Sequence, residues 1–326
     1  MKRERILVTG ALGQLGTVLT SELRKMFGMD SIIASDLREC NGSDILYVQL
    51  DVADRAALQK IVDEYAVTQI YHLAAVLSAN GEKQPLRTWD VNCNTFLNVL
   101  EVAKVNKLKR VFFPSSIAVF GTNVPKMNTP QAIALNPRTV YGISKVAGEN
   151  WSQYYYDKFG LDVRSIRYPG LIGHQSLPGG GTTDYAVDIY HKAVRQETFN
   201  CYLRPDTHLP MMFITDAVRA TLELMEAPKD NITIRTSYNL QGVSFSPEEI
   251  AESIKVHYPN FQILYSPDHR QEIADSWPKS LNDSDARADW KWAPQYGLQD
   301  ITMEMISEIE KKKQLELKKS TTICIQ

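Results

Sequence analysis

The sequence predicts an α/β fold, a doubly wound parallel sheet with a smaller α+β lobe towards the C-terminus. Short apolar runs rich in β-branched and aromatic residues recur through the first half, amphipathic stretches separate most of them, and the alternation stops after Tyr168. Such alternation is typical of a parallel sheet that helices cover on both faces. The predicted strands are 5–9, 31–36, 46–50, 69–74, 110–116 and 161–168, and the predicted helices are 15–27, 54–66, 88–105 and 138–159.

The second half is less regular. It begins with a loop-like stretch dense in Pro and Gly. Ser246 and Pro247 suit the N-cap and the first position of a later helix. We predict a nucleotide-binding domain over residues 1–175 and a substrate-binding lobe over 176–326, with a cleft between them. Segments around 209–240 are expected to pack back on the first domain.

The composition indicates an ordinary globular protein that binds neither nucleic acid nor membrane. Hydrophobic residues make up 44% and charged residues 23% of the 326 residues, and the formal net charge is −2. This balance offers no basic surface for a polyanion, and no apolar run approaches the ~20 residues that cross a bilayer. The first strand-like run starts at Arg5, so no leader peptide is expected. Cytoplasm and mitochondrial matrix both stay open as compartments.

The spacing of cysteine and histidine argues against a metal site. The four cysteines are far apart without a C-x-x-C pair, as is typical of a reducing compartment. The six histidines are scattered, and none occurs in an H-E-x-x-H pattern. We therefore expect a mechanism without a metal.

A glycine-rich turn follows the first predicted strand. The run TGALGQLG spaces Gly10, Gly13 and Gly16 as G-x-x-G-x-x-G and opens the first predicted helix. Such glycines let the backbone approach a diphosphate at the helix N-terminus, as in the Rossmann dinucleotide-binding fold. Asp36 ends the next strand, where an acid accepts hydrogen bonds from ribose hydroxyls and repels a 2′-phosphate, so NAD is favoured. Arg38 keeps NADP as an alternative.

A tyrosine and a lysine lie on one face of a predicted helix in the run YGISK, from Tyr141 to Lys145. The preceding strand brings Ser115 and Ser116 to the edge of the sheet where parallel sheets bind ligands. Tyrosine, with its usual pKa of about 10, is a poor base at neutral pH. An ammonium ~4 Å away, at an effective dielectric constant of ~20, stabilises the phenolate by about 4 kcal/mol. We therefore expect Lys145 to lower the pKa of Tyr141, which then takes a proton from a substrate hydroxyl while hydride leaves for a nicotinamide ring.

These runs occur together in one known family. The set consists of TGALGQLG, Asp36, HLAA (72–75), PSSIAVFG, YGISK and RYPG (167–170). Together these runs resemble the extended short-chain dehydrogenases/reductases, a group that includes nucleotide-sugar epimerases and dehydratases. The resemblance implies that Tyr141 is the catalytic acid/base and that Lys145 lowers its pKa and binds the nicotinamide ribose. It also implies that the Ser116 hydroxyl hydrogen-bonds the reacting oxygen.

The same resemblance implies NAD contacts around the glycine turn, the strand ends and the tyrosine–lysine pair. The expected cofactor-binding residues are Gly10, Leu12, Gly13, Gln14, Leu15, Gly16, Asp36, Asp51, Val52, Leu73, Ala74, Ala75, Ser115, Tyr141, Lys145 and Tyr168. For Asp51 and Val52, an acid that closes a strand before a helix cap is an equally good explanation.

Two runs in the second half indicate the substrate. LPGGGTTDYAVDIY (177–190) and IADSWPKSLNDSDARADWKW (273–292) resemble one branch of the family, the metal-free L-threonine 3-dehydrogenases. Those enzymes oxidise the β-hydroxyl of L-threonine with NAD to 2-amino-3-oxobutanoate. A small amino acid needs a compact carboxylate site, for which glycine amides and threonine hydroxyls are neutral donors. The expected substrate-binding residues are Ser78, Ser116, Tyr141, Gly180, Thr182, Thr183 and Trp277.

Two other functions stay open at this point. A nucleotide-sugar epimerase or dehydratase shares the fold, but its diphosphate calls for a long basic groove, and residues 175–210 offer only Lys192, Arg195 and Arg204. A dinucleotide-sensing regulator needs no tyrosine–lysine pair, so the retained pair counts against that function.

The predicted helices 88–105 and 138–159 carry more aromatic residues than one core face needs. In the resembling family the equivalent helices form a dimeric four-helix contact, so a homodimer is expected.

Overall fold

Parallel strands organise the first part of the chain. The computed structural model describes residues 4–40, 45–177, 179 and 181–323, with side chains through residue 317. Its strands are β1 (Ile6–Thr9), β2 (Ile32–Asp36), β3 (Tyr47–Gln49), β4 (Gln69–His72), β5 (Arg110–Ser116), β6 (Val163–Tyr168), β7 (Gly170–Ile172), β8 (Phe199–Cys201), β9 (Leu209–Phe213), β10 (Tyr238–Asn239), β11 (Val243–Phe245) and β12 (Ile263–Tyr265). Seven of these described strands form one parallel sheet in the order β10-β6-β5-β4-β1-β2-β3. The order 3-2-1-4-5-6 of the first six is that of a Rossmann sheet, which confirms the predicted fold class.

Helices cover both faces of this sheet. The helices of the described residues are α1 (Gln14–Phe27), α2 (Arg55–Glu64), α3 (Ser78–Gly81), α4 (Pro85–Trp89), α5 (Thr95–Val105), α6 (Val140–Phe159), α7 (Tyr185–Arg195), α8 (Ile214–Glu226), α9 (Pro247–Lys255), α10 (His269–Ser276), α11 (Ser284–Trp290) and α12 (Leu298–Ile323), and those that cover the sheet include α1, α2, α5, α6 and α8. Side chains alternate between the faces of a strand. Ile6 and Val8 of β1 accordingly pack with α1 and α8, whereas Leu7 packs with α2, α5 and part of α6. Within the described residues, no helix is both long and apolar enough to span a bilayer.

The strand order reverses between β1 and β4, which lie side by side although two strands separate them in the chain. At this switch point, Thr9 of β1 is in register with His72 of β4. Crevices at the carboxyl ends of strands flanking such a point are the usual ligand sites of open parallel sheets.

The second half forms a separate set of small sheets and helices. Strands β7, β9 and β11 make one small sheet, and β8 pairs with β12. Ser246 and Glu249 form a capping box at the start of α9, as the Ser-Pro pair predicted. Strand β10 pairs with β6 in the main sheet, and α8 packs against α1. The boundary between residues 175 and 176 stays a prediction.

The predicted helix 88–105 is not continuous. A π-helical turn, Asp90–Asn94, interrupts it between α4 and α5. Within this turn, the buried Asn92 side chain accepts the backbone N–H of Val76 (2.8 Å) and donates to the carbonyl oxygen of Val76 (3.1 Å). Sequence periodicity does not reveal this turn, because the turn is associated with hydrogen bonds to Val76, which lies in a loop distant in the chain.

Candidate active site

The glycine turn lies between β1 and α1. Gly10 has a φ of 70°, and a Cβ atom added there would lie 2.7 Å from the backbone nitrogen of Ala74. A Cβ atom on Gly16 would lie 2.3 Å from the carbonyl oxygen of Gly10. Both positions therefore require glycine. Bare backbone at the start of a helix is the geometry that a diphosphate needs, so the turn fits a dinucleotide.

The Asp36 carboxylate lies at the end of β2, beside this turn. It accepts the backbone N–H of Leu12 (3.2 Å) and two hydrogen bonds from the Arg38 guanidinium (3.0 and 3.2 Å). Burial by itself would raise the pKa of Asp36, but these hydrogen bonds hold it below its usual value. Asp36 is therefore an ionised acceptor at the position predicted for the ribose hydroxyls.

Asp51 and Val52 follow β3 and have the contacts of a helix entrance. The Asp51 carboxylate accepts the backbone N–H of Ala53 (2.9 Å), and the carbonyl oxygen of Val52 accepts Nδ2 of Asn98 on α5 (2.9 Å). These contacts match the alternative explanation for Asp51 and Val52, namely an acid that closes a strand before a helix cap. A contact with adenine stays a prediction.

Three side chains meet where β5 ends and α6 begins. The Ser116 hydroxyl hydrogen-bonds Tyr141 and accepts the backbone N–H of Ala118 (3.2 Å). Lys145 Nζ is buried, lies 5.4 Å from the centre of the Tyr141 ring, and donates to the carbonyl oxygen of Pro114 (2.7 Å). The structure thus brings together the three predicted catalytic residues.

Burial dominates the electrostatics of the tyrosine–lysine pair. It raises the pKa of Tyr141 to about 12, which the hydrogen bond with Ser116 only partly offsets. It lowers the pKa of Lys145 to about 7, against the opposing effects of Cys93 and Glu149. The pKa of Tyr141 is thus raised, whereas the sequence led us to expect that it is lowered. That expectation counted the ammonium charge of Lys145 and left out the desolvation of both groups.

Ser115 connects the site to a buried ion pair. Its hydroxyl donates to Glu149 Oε1 (2.6 Å), and the Arg167 guanidinium donates to both carboxylate oxygens of Glu149 (2.9 and 2.7 Å). Arg167 also donates to the Asn239 side chain of β10 (3.0 Å). Sequence reasoning missed Glu149 and Arg167. Glu149 follows Lys145 by one helical turn, and that spacing was a usable signal.

The loop before α7 also contributes residues to the site. Thr182 is buried, and its hydroxyl has no hydrogen-bond partner among the described residues. Thr183 lies against β7, since a Cβ atom on Gly170 would come within 2.7 Å of its methyl carbon. From α3, Asn80 Nδ2 donates to the carbonyl oxygen of Gly179 (3.1 Å). Gly180, predicted as a substrate contact, lies outside the described residues.

One cleft gathers most of the predicted site residues. Those that line it are Gly10, Gly13, Gln14, Leu15, Gly16, Leu73, Ala75, Ser78, Ser115, Ser116, Tyr141, Lys145, Tyr168, Thr182, Thr183 and Trp277. The predicted cofactor residues that lie outside its described lining are Leu12, Asp36, Asp51, Val52 and Ala74. Tyr168 lines the cleft, and its hydroxyl hydrogen-bonds Thr221. The lining also includes Asp184, which sequence reasoning left without a role.

Comparison with known proteins identifies the family. The profile of the NAD dependent epimerase/dehydratase family matches residues 6–240. The chain belongs to this family. As in the other members of the NAD dependent epimerase/dehydratase family, the cofactor is NAD, and the glycine turn fits its diphosphate.

Known proteins are similar to this chain over almost its whole length. An uncharacterized epimerase/dehydratase from Staphylococcus saprophyticus is 46% identical over 320 residues, which are 97% of this chain and 100% of the relative. A GalE-like L-threonine dehydrogenase from Cupriavidus necator, solved in its holo form, is 50% identical and has a TM-score of 0.92. The match covers 94% of this chain and 99% of the Cupriavidus chain. A monomeric L-threonine 3-dehydrogenase from a metagenome database, solved in its apo form, has the same identity, TM-score and coverage.

Proposed function

We propose that the chain oxidises the β-hydroxyl of L-threonine with NAD to 2-amino-3-oxobutanoate, as a step of threonine catabolism. One observation carries the proposal. Tyr141, Lys145 and Ser116 line the same cleft as Thr182, Trp277 and the glycine turn. The two solved threonine dehydrogenases that are 50% identical over 94% of the chain support the same substrate.

The charges of the cleft favour a small amino acid over a nucleotide sugar. Lys145 is the single basic residue of the described lining, and Asp184 is the single acidic one. Lys145 already donates to the Pro114 carbonyl oxygen. A sugar diphosphate calls for additional cations, whereas the carboxylate of an amino acid needs a few well-placed neutral donors. The Thr182 hydroxyl, which has no hydrogen-bond partner in the part of the chain that the structure describes, is such a donor.

The residues of the chain divide the reaction between them. Ser116 orients the substrate hydroxyl, and Tyr141 accepts the proton of that hydroxyl as the carbonyl forms. Lys145, held by the Pro114 carbonyl oxygen, binds the nicotinamide ribose, and its protonated form places a positive charge near Tyr141 that favours the phenolate. Thr182, Thr183 and the glycine amides bind the carboxylate, and Trp277 closes the cleft. When bound, NAD supplies the acceptor of the hydride and one positive charge.

Absorbance of NADH tests this function. We expect the wild-type protein to form NADH from L-threonine and NAD, and the Tyr141→Phe variant to be slower by at least about a hundredfold, because it lacks the base. UDP-glucose serves as the control substrate, because epimerisation produces no net NADH. A wild-type protein that is inactive with L-threonine would overturn the function. A Tyr141→Phe variant of unchanged rate would overturn the mechanism.

A homodimer is proposed as the assembly. Trp151, Tyr154 and Phe159 on α6 are 38–49% exposed, and the ring of Tyr154 lies 5.5 Å from that of Trp151 and 6.0 Å from that of Phe159, centre to centre. Trp89 on the neighbouring α4 is 39% exposed. Contiguous exposed aromatic surface of this kind is typical of protein–protein interfaces.

A further inference from the structure

A lysine from the first half of the chain reaches the segment that carries Trp277. Lys126 lies in the loop between β5 and α6, the two elements that hold Ser116 and Tyr141. Its Nζ donates to the carbonyl oxygens of Asp275 (2.8 Å) and Trp277 (3.0 Å), where α10 ends. One ammonium therefore binds the backbone on both sides of Ser276.

The backbones of the two segments also pair with each other. The N–H of Lys279 donates to the carbonyl oxygen of Lys126 (2.7 Å), and the N–H of Thr129 donates to that of Ser280 (3.0 Å). Thr129 and Leu281 form a parallel β-bridge. Residues 126–129 of the loop that links the catalytic elements are thus attached to the 275–282 segment.

A cation is the suitable partner at this helix end. The last turn of α10 contains no basic residue of its own, although the carbonyl oxygens at a helix C-terminus attract positive charge. Lys126 supplies that charge from another part of the chain. Burial lowers the pKa of Lys126, with Asp275 opposing and Lys279 adding to the shift.

Trp277 is the residue that this arrangement holds in place. It is 5% exposed, lines the cleft beside Thr182, and its N–H donates to the carbonyl oxygen of Ala274 (3.1 Å). We propose that Lys126 is a positioning residue for substrate binding, which holds the end of α10 so that Trp277 forms a fixed wall of the cleft. This inference rests on the proposed threonine oxidation.

Steady-state kinetics of Lys126→Met with L-threonine and NAD test the inference. We expect KM for L-threonine to rise about tenfold, the effect of losing charge-assisted hydrogen bonds. We expect kcat and KM for NAD to stay within about twofold, because the reacting groups are not touched. Lys126→Arg keeps the charge and should restore most of the affinity. Lys279→Met is the matched control, since it removes an exposed neighbouring charge, and its kinetics should equal those of the wild type.

A double-mutant cycle with Trp277→Phe separates positioning from a general loss of stability. If Lys126 acts through Trp277, Lys126→Met changes KM much less in the Trp277→Phe background than in the wild type. An unchanged KM for Lys126→Met, or an equally large effect in both backgrounds, would contradict the inference. If Lys126→Met does not fold, Lys126→Gln takes its place in the same cycle.

A second readout is independent of turnover. Subtracting the fluorescence emission of Trp277→Phe from that of the wild type gives the Trp277 spectrum. The same subtraction in the Lys126→Met background should give a spectrum shifted to the red, because the indole becomes exposed. A wild type inactive with L-threonine would reject the proposed function, and this spectrum would still test whether Lys126 holds Trp277. An unshifted spectrum would reject the positioning role.

Discussion

Lys145 is buried against the ring of Phe113, 4.6 Å from its centre, and its ammonium donates to a backbone carbonyl oxygen rather than to a carboxylate. At the residue scale, the site therefore holds a cation that has lost most of its contact with water. The buried pair of Glu149 and Arg167 lies behind it, and Glu149 opposes the fall in the pKa of Lys145. The charge state of Lys145 should consequently respond to pH near neutrality.

This pKa leads to a prediction about stability. The pKa of Lys145 is about 7 in the folded protein, against 10.5 for an ordinary lysine. Between these values the unfolded chain binds more protons than the folded one, so stability rises with pH. The free energy of unfolding of the wild type, minus that of Lys145→Met, should therefore increase by roughly 2 kcal/mol from pH 7 to pH 9. Urea unfolding of both proteins measures it. A difference that is constant over this range would contradict a lowered pKa for the buried Lys145.

At the element scale, α6 positions Tyr141 and Lys145 by lying very close to β5 and the turn after it. A Cβ atom on Gly142 would stand 2.2 Å from the carbonyl oxygen of Ala118, and one on Gly148 would stand 2.3 Å from the ring of Phe113. The Phe113 ring is itself stacked on Phe96, with 4.1 Å between centres. The helix therefore approaches the strand only because these two positions have no side chain.

Gly148→Ala tests this close packing. Alanine favours a helix by about 1 kcal/mol over glycine, but the added methyl group would overlap Phe113 at a cost of about 1–3 kcal/mol. We expect a net loss of stability in urea unfolding and a lower kcat, because α6 carries Tyr141 away from Ser116. Asn150→Ala, at an exposed position of the same helix, is the control and should leave both quantities nearly unchanged. A stabilised, fully active Gly148→Ala would show that the helix is not held by this contact.

At the scale of the whole molecule, the two halves share a core and one aromatic face stays exposed. Ile117–Val119 and Phe120, just after β5, belong to the same hydrophobic cluster as the buried faces of α7, α9 and α12. The lobe is thus packed directly on the segment that carries Ser116. Trp89, Trp151, Tyr154 and Phe159 lie outside this shared core.

Sedimentation velocity tests the proposed homodimer. At micromolar concentration we expect twice the mass of one chain, and Trp151→Glu combined with Tyr154→Glu should yield monomers, because a charged side chain at an interface centre loses its solvation. Leu264→Glu replaces a 56% exposed residue on β12 and is the control that should stay dimeric. A monomeric wild type would reject the dimer, in line with the relative described as monomeric. A dimer that persists in the double variant would place the interface elsewhere.

The sequence by itself determined the Rossmann sheet, the dinucleotide turn and the grouping of Tyr141, Lys145 and Ser116, because these depend on local periodicity, glycine spacing and the direction of parallel strands. Only the tertiary structure revealed the π-helical turn at Asn92, the pair of Glu149 and Arg167, and the contact of Lys126 with the end of α10. It also decided the direction of the pKa of Tyr141. Each of these depends on which distant groups meet after folding and on how much water they lose, and neither quantity can be read from spacing along the chain.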